Sequence, residues 1–149
     1  MAEPLVFVDA GVLLACFDPT AGERRERAQA WLRRLWAQRL GRTSQQVLGE
    51  FYALARRHFA TALAAGDARS ELRRLQLWHP WPSDAATFET AFAVEARHGL
   101  GVWDSLVVAA AQAQGCSLLL SESLPHGQVF DGVTVVNPVQ VGPDLLDTL

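Results

Sequence analysis

The sequence contains no lysine, and its thirteen basic residues, all arginine, are outnumbered by sixteen acids to a net charge of −3. This balance gives no general footprint for binding nucleic acid. The only two cysteines, Cys16 and Cys116, are too few for a disulfide framework and indicate a reducing cytoplasm. The apolar stretch 5–17 is too short to span a bilayer, contains Asp9 and follows no basic residue. A signal peptide and a membrane location are therefore not expected.

Several sequence motifs are also missing. No Gly-x-Gly-x-x-Gly follows the first apolar run, which disfavours a dinucleotide-binding fold. The four histidines are scattered without metal-ligand spacing, so structural or surface roles are expected for them. An aspartyl-phosphate phosphotransferase usually has a second acid two residues after the first, and Gly11 stands there after Asp9. That chemistry is disfavoured as well.

The 149 residues, half of them apolar, predict one globular domain over 1–149. Short apolar runs at 5–8, 117–120 and 133–136 predict buried strands. Apolar stripes at helical spacing predict helices between these strands, at 23–39, 45–64, 68–76, 84–98 and within 99–113. Strands alternating with helices indicate the α/β class, with a central parallel sheet covered by helices on both faces.

Three acids stand inside apolar sequence. Asp9 follows the first strand, Glu50 borders the apolar face of the helix 45–64, and Asp104 lies at the start of the most apolar helix. Ligand sites in such sheets form beyond the carboxyl ends of the strands, so these acids are expected to converge on one cleft. A helix cap is the alternative role for Asp104. Clustered carboxylates repel one another, and a hard cation such as Mg²⁺, suited to phosphodiester hydrolysis, would relieve the repulsion.

Four segments in order resemble the PIN-domain family, and within it the VapC-type toxins of bacterial toxin–antitoxin modules. They are Phe7-Val-Asp-Ala-Gly-Val-Leu-Leu14, Ser44-Gln-Gln-Val-Leu-Gly-Glu-Phe-Tyr52, Val102-Trp-Asp-Ser-Leu-Val-Val-Ala-Ala110 and Leu120-Ser-Glu-Ser-Leu-Pro-His-Gly-Gln128. The resemblance implies a three-layer α/β/α sandwich and an endoribonuclease dependent on Mg²⁺ or Mn²⁺. It also implies a homodimer, inhibited by a small VapB-like antitoxin whose tail lies in the active-site groove.

The resemblance assigns roles to individual residues. Asp9, Glu50 and Asp104 match the first three acids of the family, and we expect them to be catalytic, with Asp9 and Asp104 as metal ligands. Ser44 matches a small hydroxyl residue that often lies near the metal-bound water. The implied reaction is hydrolysis of a backbone phosphate in structured RNA, such as transfer RNA.

Two positions depart from the family pattern. Ser123 stands where the family usually has a fourth aspartate, and Gly11 stands where it usually has Asn or Ser. Ser123 keeps a hydroxyl but removes a negative charge, which should weaken the binding of a cation. Glu122 would compensate only by turning back toward the site, and Asp131, in the following loop, is the other candidate for the missing acid.

Two functional hypotheses remain from the sequence. The first is an active toxin endoribonuclease. The second is a catalytically impaired PIN-fold protein that binds RNA or an antitoxin without cleaving. The arginines of the helix 23–39 form either a solvated face or part of an RNA-binding rim, and the sequence leaves both open.

Overall fold

A computed structural model describes residues 3–149 and contains a five-stranded sheet in the order β2-β1-β3-β5-β4. The strands are β1 (Val6–Val8), β2 (Gly41–Arg42), β3 (Leu118–Leu120), β4 (Val129–Phe130) and β5 (Val133–Val136). All neighbours pair in parallel except β4, which pairs antiparallel with β5. The expected parallel sheet is confirmed, with one short antiparallel edge strand added where the sequence predicted only a loop.

Six α-helices flank this sheet. They are α1 (Ala10–Ala15), α2 (Glu23–Gln38), α3 (Gln45–His58), α4 (Ala65–Leu75), α5 (Ala85–His98) and α6 (Val102–Ala113), with short 3₁₀ helices at Gln76–Trp78 and Pro143–Thr148. The first four helices pack on one another, and α5 packs on α6. These two groups with the sheet form the predicted three-layer α/β/α arrangement.

Burial explains why the strands and α6 are so apolar. All residues of β1 and β3 are buried, as is the continuous stretch 105–111 of α6. A strand covered by helices on both faces has no solvent side, so its sequence is continuously apolar instead of alternating. Any charged group at the ends of these elements is consequently held at the border of a dry core.

The strand order places a crevice at the carboxyl end of β1. From β1 the chain moves to β2 on one side, and β3 lies on the other side of β1. Connections that leave a parallel sheet in opposite directions open a crevice at the carboxyl ends of the two strands. Asp9 follows β1 and Ser121 follows β3 at this point, and the amide of Asp9 donates to the carbonyl of Leu120 at 3.1 Å.

Three predicted boundaries were wrong. The helix predicted at 45–64 ends at His58, and α4 begins at Ala65 instead of residue 68. No helix breaker marks this turn in the sequence; tertiary packing sets it, because Leu63 is buried in the core. The helix predicted at 68–76 ends at Leu75 and is followed by a 3₁₀ helix at Gln76–Trp78, beyond which Trp81 is bridged in parallel to Ser44.

No helix among residues 3–149 has the length and apolar character needed to cross a membrane.

Candidate active site

Asp9 is a buried acid held by hydrogen bonds from its own surroundings. It follows β1 and caps α1, with Oδ1 accepting from the amide of Ala10 at 2.8 Å. Its Oδ2 accepts from the hydroxyl of Ser121 at 3.1 Å. Only 9% of the residue is exposed. The carboxylate is thus fixed in place at the crevice, where the helix start also favours negative charge.

Glu50 and Asp104 reach the same crevice from two different helices. Glu50 lies in the second turn of α3, whose first turn is capped by Ser44. Asp104 lies in the first turn of α6, where it is not the cap, because that position belongs to Gly101. The capping alternative for Asp104 was therefore wrong, and its carboxylate is available to the crevice.

These three acids line one cavity of about 390 Å³. Its apolar walls include Leu14, Leu54, Trp103 and Val107, and its remaining lining residues are Gly11, Glu122 and Ser123. Cavities of larger volume exist elsewhere on the molecule. The acid cavity is the one in which carboxylates from three separate chain segments converge, as the sequence predicted.

The electrostatics of the cavity oppose three negative charges. Burial raises the pKa of Asp9 above its ordinary value, and the charge of Asp104 raises it further, while the bonds from Ala10 and Ser121 act against this. Partial burial also raises the pKa of Glu50, followed by repulsion from Asp9 and Asp104. Burial raises the pKa of Asp104. The cavity is thus an acceptor for positive charge.

The segment after β3 supplies hydroxyls instead of a fourth carboxylate. Ser123 Oγ lies 3.1 Å from Ser121 Oγ, which itself donates to Asp9. Ser123 therefore occupies the cavity without adding charge. Glu122 also lines the cavity, but its Oε2 accepts from Arg24 Nε at 2.9 Å, while its Oε1 is buried without a hydrogen-bond partner among the described residues.

Two other sequence candidates lie away from the cavity. The hydroxyl of Ser44 accepts from the amide of Val47 at 3.2 Å as the cap of α3, and Ser44 does not line the cavity. The structure thus shows Ser44 as a helix cap, and its expected position near a metal-bound water stays a prediction. Asp131 pairs with Arg97 at 3.2 Å and lines a different, small cavity. Asp131 is therefore not the missing fourth acid.

Two functional contacts were missed by sequence reasoning. Ser121 is fully buried and orients Asp9, a role that a lone serine ending an apolar strand beside β1 could have suggested. Arg24 reaches Glu122 across 98 positions of sequence, and no spacing pattern marks such a pair. This contact gives one of the α2 arginines a place at the rim of the acid cavity.

The donor set fits a hydrated hard cation. Among residues 3–149, no three His, Cys, Asp or Glu side chains form a cluster ready to hold a metal ion. Mg²⁺ and its relatives, however, are usually bound by one or two carboxylates together with several waters. Asp9 and Asp104 would supply such ligands, and the repulsion by Asp104, which contributes to the raised pKa of Asp9, is what a cation would relieve.

Comparisons with known proteins agree with this arrangement. A model of the PIN domain matches residues 6–122, a span that contains all three acids. Among solved structures, the chain resembles Mycobacterium tuberculosis VapC20, described as a toxin that cleaves the sarcin–ricin loop. The TM-score is 0.58 at 22% identity, over 76% of this chain and 86% of that chain, a likeness of fold alone. No curated protein matches the sequence.

Proposed function

This chain belongs to the PIN-domain family, and from that premise we propose that it is a divalent-metal-dependent endoribonuclease, the toxin component of a toxin–antitoxin module. The observation that carries the proposal is the cavity lined by Asp9, Glu50 and Asp104, in which burial and repulsion raise the pKa of the acids. VapC20, whose fold the chain shares, is itself described as an RNA-cleaving toxin.

In this proposal each acid has a separate task. Asp9, oriented by Ala10 and Ser121, and Asp104 would hold Mg²⁺ or Mn²⁺. A bound cation neutralises phosphate charge and lowers the pKa of bound water. Glu50, whose pKa is raised chiefly by partial burial, accepts the proton of the attacking water.

The remaining cavity residues position the substrate. The apolar walls at Leu14, Leu54 and Val107 exclude water from one side of the reacting phosphate. In this proposal the Ser123 hydroxyl, whose proton is donated to Ser121 Oγ, accepts a hydrogen bond from a water molecule. Attack by water on the backbone phosphate, with the 3′ oxygen as the leaving group, gives a 5′-phosphate and a 3′-hydroxyl, the products that the family resemblance suggests.

The partners we propose are an RNA substrate, a VapB-like antitoxin and a second copy of the chain. Two exposed aromatic side chains on α5 offer an apolar surface for dimerisation: Phe88 and Phe92, whose ring centres are 6.2 Å apart. Burying such rings is favourable, because each removes a large apolar area from water.

A specific observation favours a second candidate function. The cavity lacks a fourth carboxylate, because Ser123 is neutral and Glu122 is paired with Arg24. A PIN-fold protein with weakened metal affinity would still bind RNA or an antitoxin. This impaired protein is the alternative to the active nuclease.

Mn²⁺ binding separates the two functions. Electron paramagnetic resonance titration of the wild type should show saturable binding that is absent in Asp9→Asn, and Mn²⁺ should activate cleavage of a structured RNA on a denaturing gel. Failure to bind Mn²⁺ more tightly than Asp9→Asn would contradict the nuclease proposal. If Ser123→Asp then gained both binding and cleavage, the impaired protein would be the correct function.

A further inference from the structure

A second cavity, of about 780 Å³, lies at the opposite edge of the sheet from the acids. Its lining includes Leu5, which precedes β1, Arg42 on β2, and Gln114, which ends α6. The helix α6 begins beside the acid cavity at Asp104 and ends here ten residues later, about 15 Å along its axis. The two cavities are therefore distinct and open at opposite ends of α6.

The charge of this second cavity is reversed relative to the first. Arg39, Arg42 and His79 line it, and no acid does. Within residues 3–149, neither Arg39 nor Arg42 forms an ion pair with a carboxylate. In a chain whose net charge is −3, this acid-free pair of arginines is a local concentration of positive charge.

The floor of the cavity is aromatic and closely packed. The Trp78 ring lies against Gly41, where a β-carbon would come within 2.4 Å of the ring. Trp36 packs on Trp78 with ring centres 4.9 Å apart, and Trp81 adds a third indole to the lining. Rigid aromatic surfaces beside arginines are the combination by which proteins bind the bases and phosphates of single-stranded nucleic acid.

The backbone at the rim is strained at two points. Arg39 (φ 57°) and His79 (φ 52°) adopt the left-handed conformation, and they are two of the three non-glycine residues that do so in the described part of the chain. This conformation costs free energy for residues with a β-carbon. The fold holds the side chains of Arg39 and His79 at the groove despite that cost.

We propose that this groove, formed by Arg39, Arg42, His79 and the tryptophans 36, 78 and 81, binds a single-stranded segment of RNA. The backbone phosphates lie on Arg39 and Arg42, and a base lies against the partly exposed indole of Trp81, which lines the groove together with the buried Trp78 and the partly buried Trp36. This inference rests on the proposed endoribonuclease function and adds a binding site remote from the acids. In an RNA long enough to reach both ends of α6, one segment binds the groove and another segment enters the acid cavity.

The test is RNA affinity in the absence of divalent metal. Binding of a fluorescein-labelled 12-nucleotide single-stranded RNA to the full chain is measured by anisotropy in EDTA at several salt concentrations. The groove variant Arg39→Gln/Arg42→Gln is compared with Arg56→Gln/Arg57→Gln, which removes the same charge from two exposed residues in the last turn of α3. Circular dichroism confirms that each variant is folded, and cleavage with Mn²⁺ is recorded in parallel.

The expected result is binding at least tenfold weaker for the groove variant, with the salt slope reduced by about 1.4, the value for two phosphate contacts on a single strand. The control variant should lose less than about twofold, since general electrostatic attraction is weak in an acidic protein. Equal losses in the two variants, or no loss in the groove variant, would overturn the inference.

Three further outcomes show which of the two proposals fails. If the wild type cleaves RNA and the groove variant binds and cleaves equally well, the groove inference fails and the proposed function stands. If the wild type neither binds nor cleaves RNA, both fail. A groove variant with unchanged RNA affinity but an altered sedimentation coefficient would instead assign the groove to contact with a second copy of the chain, which also overturns the inference.

Discussion

At the scale of the residue, the ionised form of the Asp9 carboxylate is favoured by some neighbours and disfavoured by others. The bonds from Ala10 and Ser121 favour its ionised form, but burial and the charge of Asp104 oppose that form more strongly, so its pKa is raised. An ionised carboxylate in this setting lowers the free energy of unfolding of the metal-free protein. A bound cation would offset that loss. Such a conflict is typical of functional sites.

Asp9→Asn should change the pH dependence of stability in metal-free protein. A carboxyl whose folded pKa lies above its unfolded value of about 3.8 stabilises the fold at low pH, and this contribution is lost as pH rises through the folded pKa. The free energy of unfolding of the variant should therefore exceed that of the wild type by an amount that grows from pH 4 to pH 7. Urea unfolding in EDTA at several pH values measures it.

Acids with lowered pKa act in the opposite direction, but they are present in both proteins and cancel in the comparison; they are Asp18, Asp84 and Asp147. A variant that is less stable than the wild type at pH 7 by a constant amount across this range would contradict the assigned electrostatics of Asp9.

Glu50→Gln should separate proton transfer from metal binding. We propose that Asp9 and Asp104 bind the metal and that Glu50 accepts the proton. The Mn²⁺ affinity of Glu50→Gln should therefore stay within a few-fold of the wild-type value. The rate of RNA cleavage should fall by about 10²–10⁴-fold, the range for losing a general base. Single-turnover cleavage and Mn²⁺ titration on the same preparation test this, and loss of Mn²⁺ binding would make Glu50 a metal ligand instead.

At the scale of the element, helix ends determine where the acids stand. The cap at Ser44 sets the start of α3 and thereby the phase that turns Glu50 toward the cavity, and Gly101 caps α6 so that Asp104 falls in its first turn. Removing a cap should therefore affect stability first and chemistry only through the position of the helix.

Ser44→Ala should lower the free energy of unfolding by about 1 kcal/mol, because the amide of Val47 loses its acceptor in a buried setting. Mn²⁺ affinity should be unchanged, since Ser44 does not line the acid cavity. Thermal unfolding and Mn²⁺ titration check the two parts. A large loss of Mn²⁺ affinity with unchanged stability would restore the role near a metal-bound water that the sequence suggested for Ser44.

Two glycines at different places in helices should respond oppositely to alanine. Gly49 lies inside α3 with open space around its missing side chain, so Gly49→Ala should stabilise the protein by about 0.5–1 kcal/mol. Gly99 ends α5 in the left-handed conformation at φ 69°, so Gly99→Ala should destabilise it by about 1 kcal/mol. Chemical denaturation measures both, and equal signs would contradict the backbone assignment.

At the scale of the whole molecule, the proposed metal binding would be coupled to folding. The acids come from β1, α3 and α6, so only the folded chain brings them together. A ligand that binds the folded state alone stabilises it by mass action. The prediction of one domain over 1–149 belongs to this scale and stays a prediction.

Saturating Mn²⁺ should raise the melting temperature of the wild type. At a hundred times Kd the stabilisation is about 2.7 kcal/mol, which corresponds to about 5–10 °C for a chain of this size. Asp9→Asn should show less than a quarter of this shift. Differential scanning calorimetry with and without Mn²⁺ measures it, and an equal shift in the two proteins would place the metal elsewhere.

Much of the fold followed from sequence alone, because periodicity reports burial directly. The continuous apolar runs at β1, β3 and β5 and the stripe of α6 allow no other arrangement than burial between layers. The acids Asp9, Glu50 and Asp104 were recognisable because an ionised group inside apolar sequence is costly unless it has a function.

Only the tertiary structure decided the contacts between distant segments. The pairing of Arg24 with Glu122, the bond from Ser121 to Asp9, and the separation of Asp131 from the cavity depend on distances that no local pattern encodes. The groove of Arg39, Arg42 and the tryptophans likewise arises where β2, the 3₁₀ helix at Gln76–Trp78 and the end of α6 meet. Local sequence sets which groups are buried, and the packing of layers sets which of them meet.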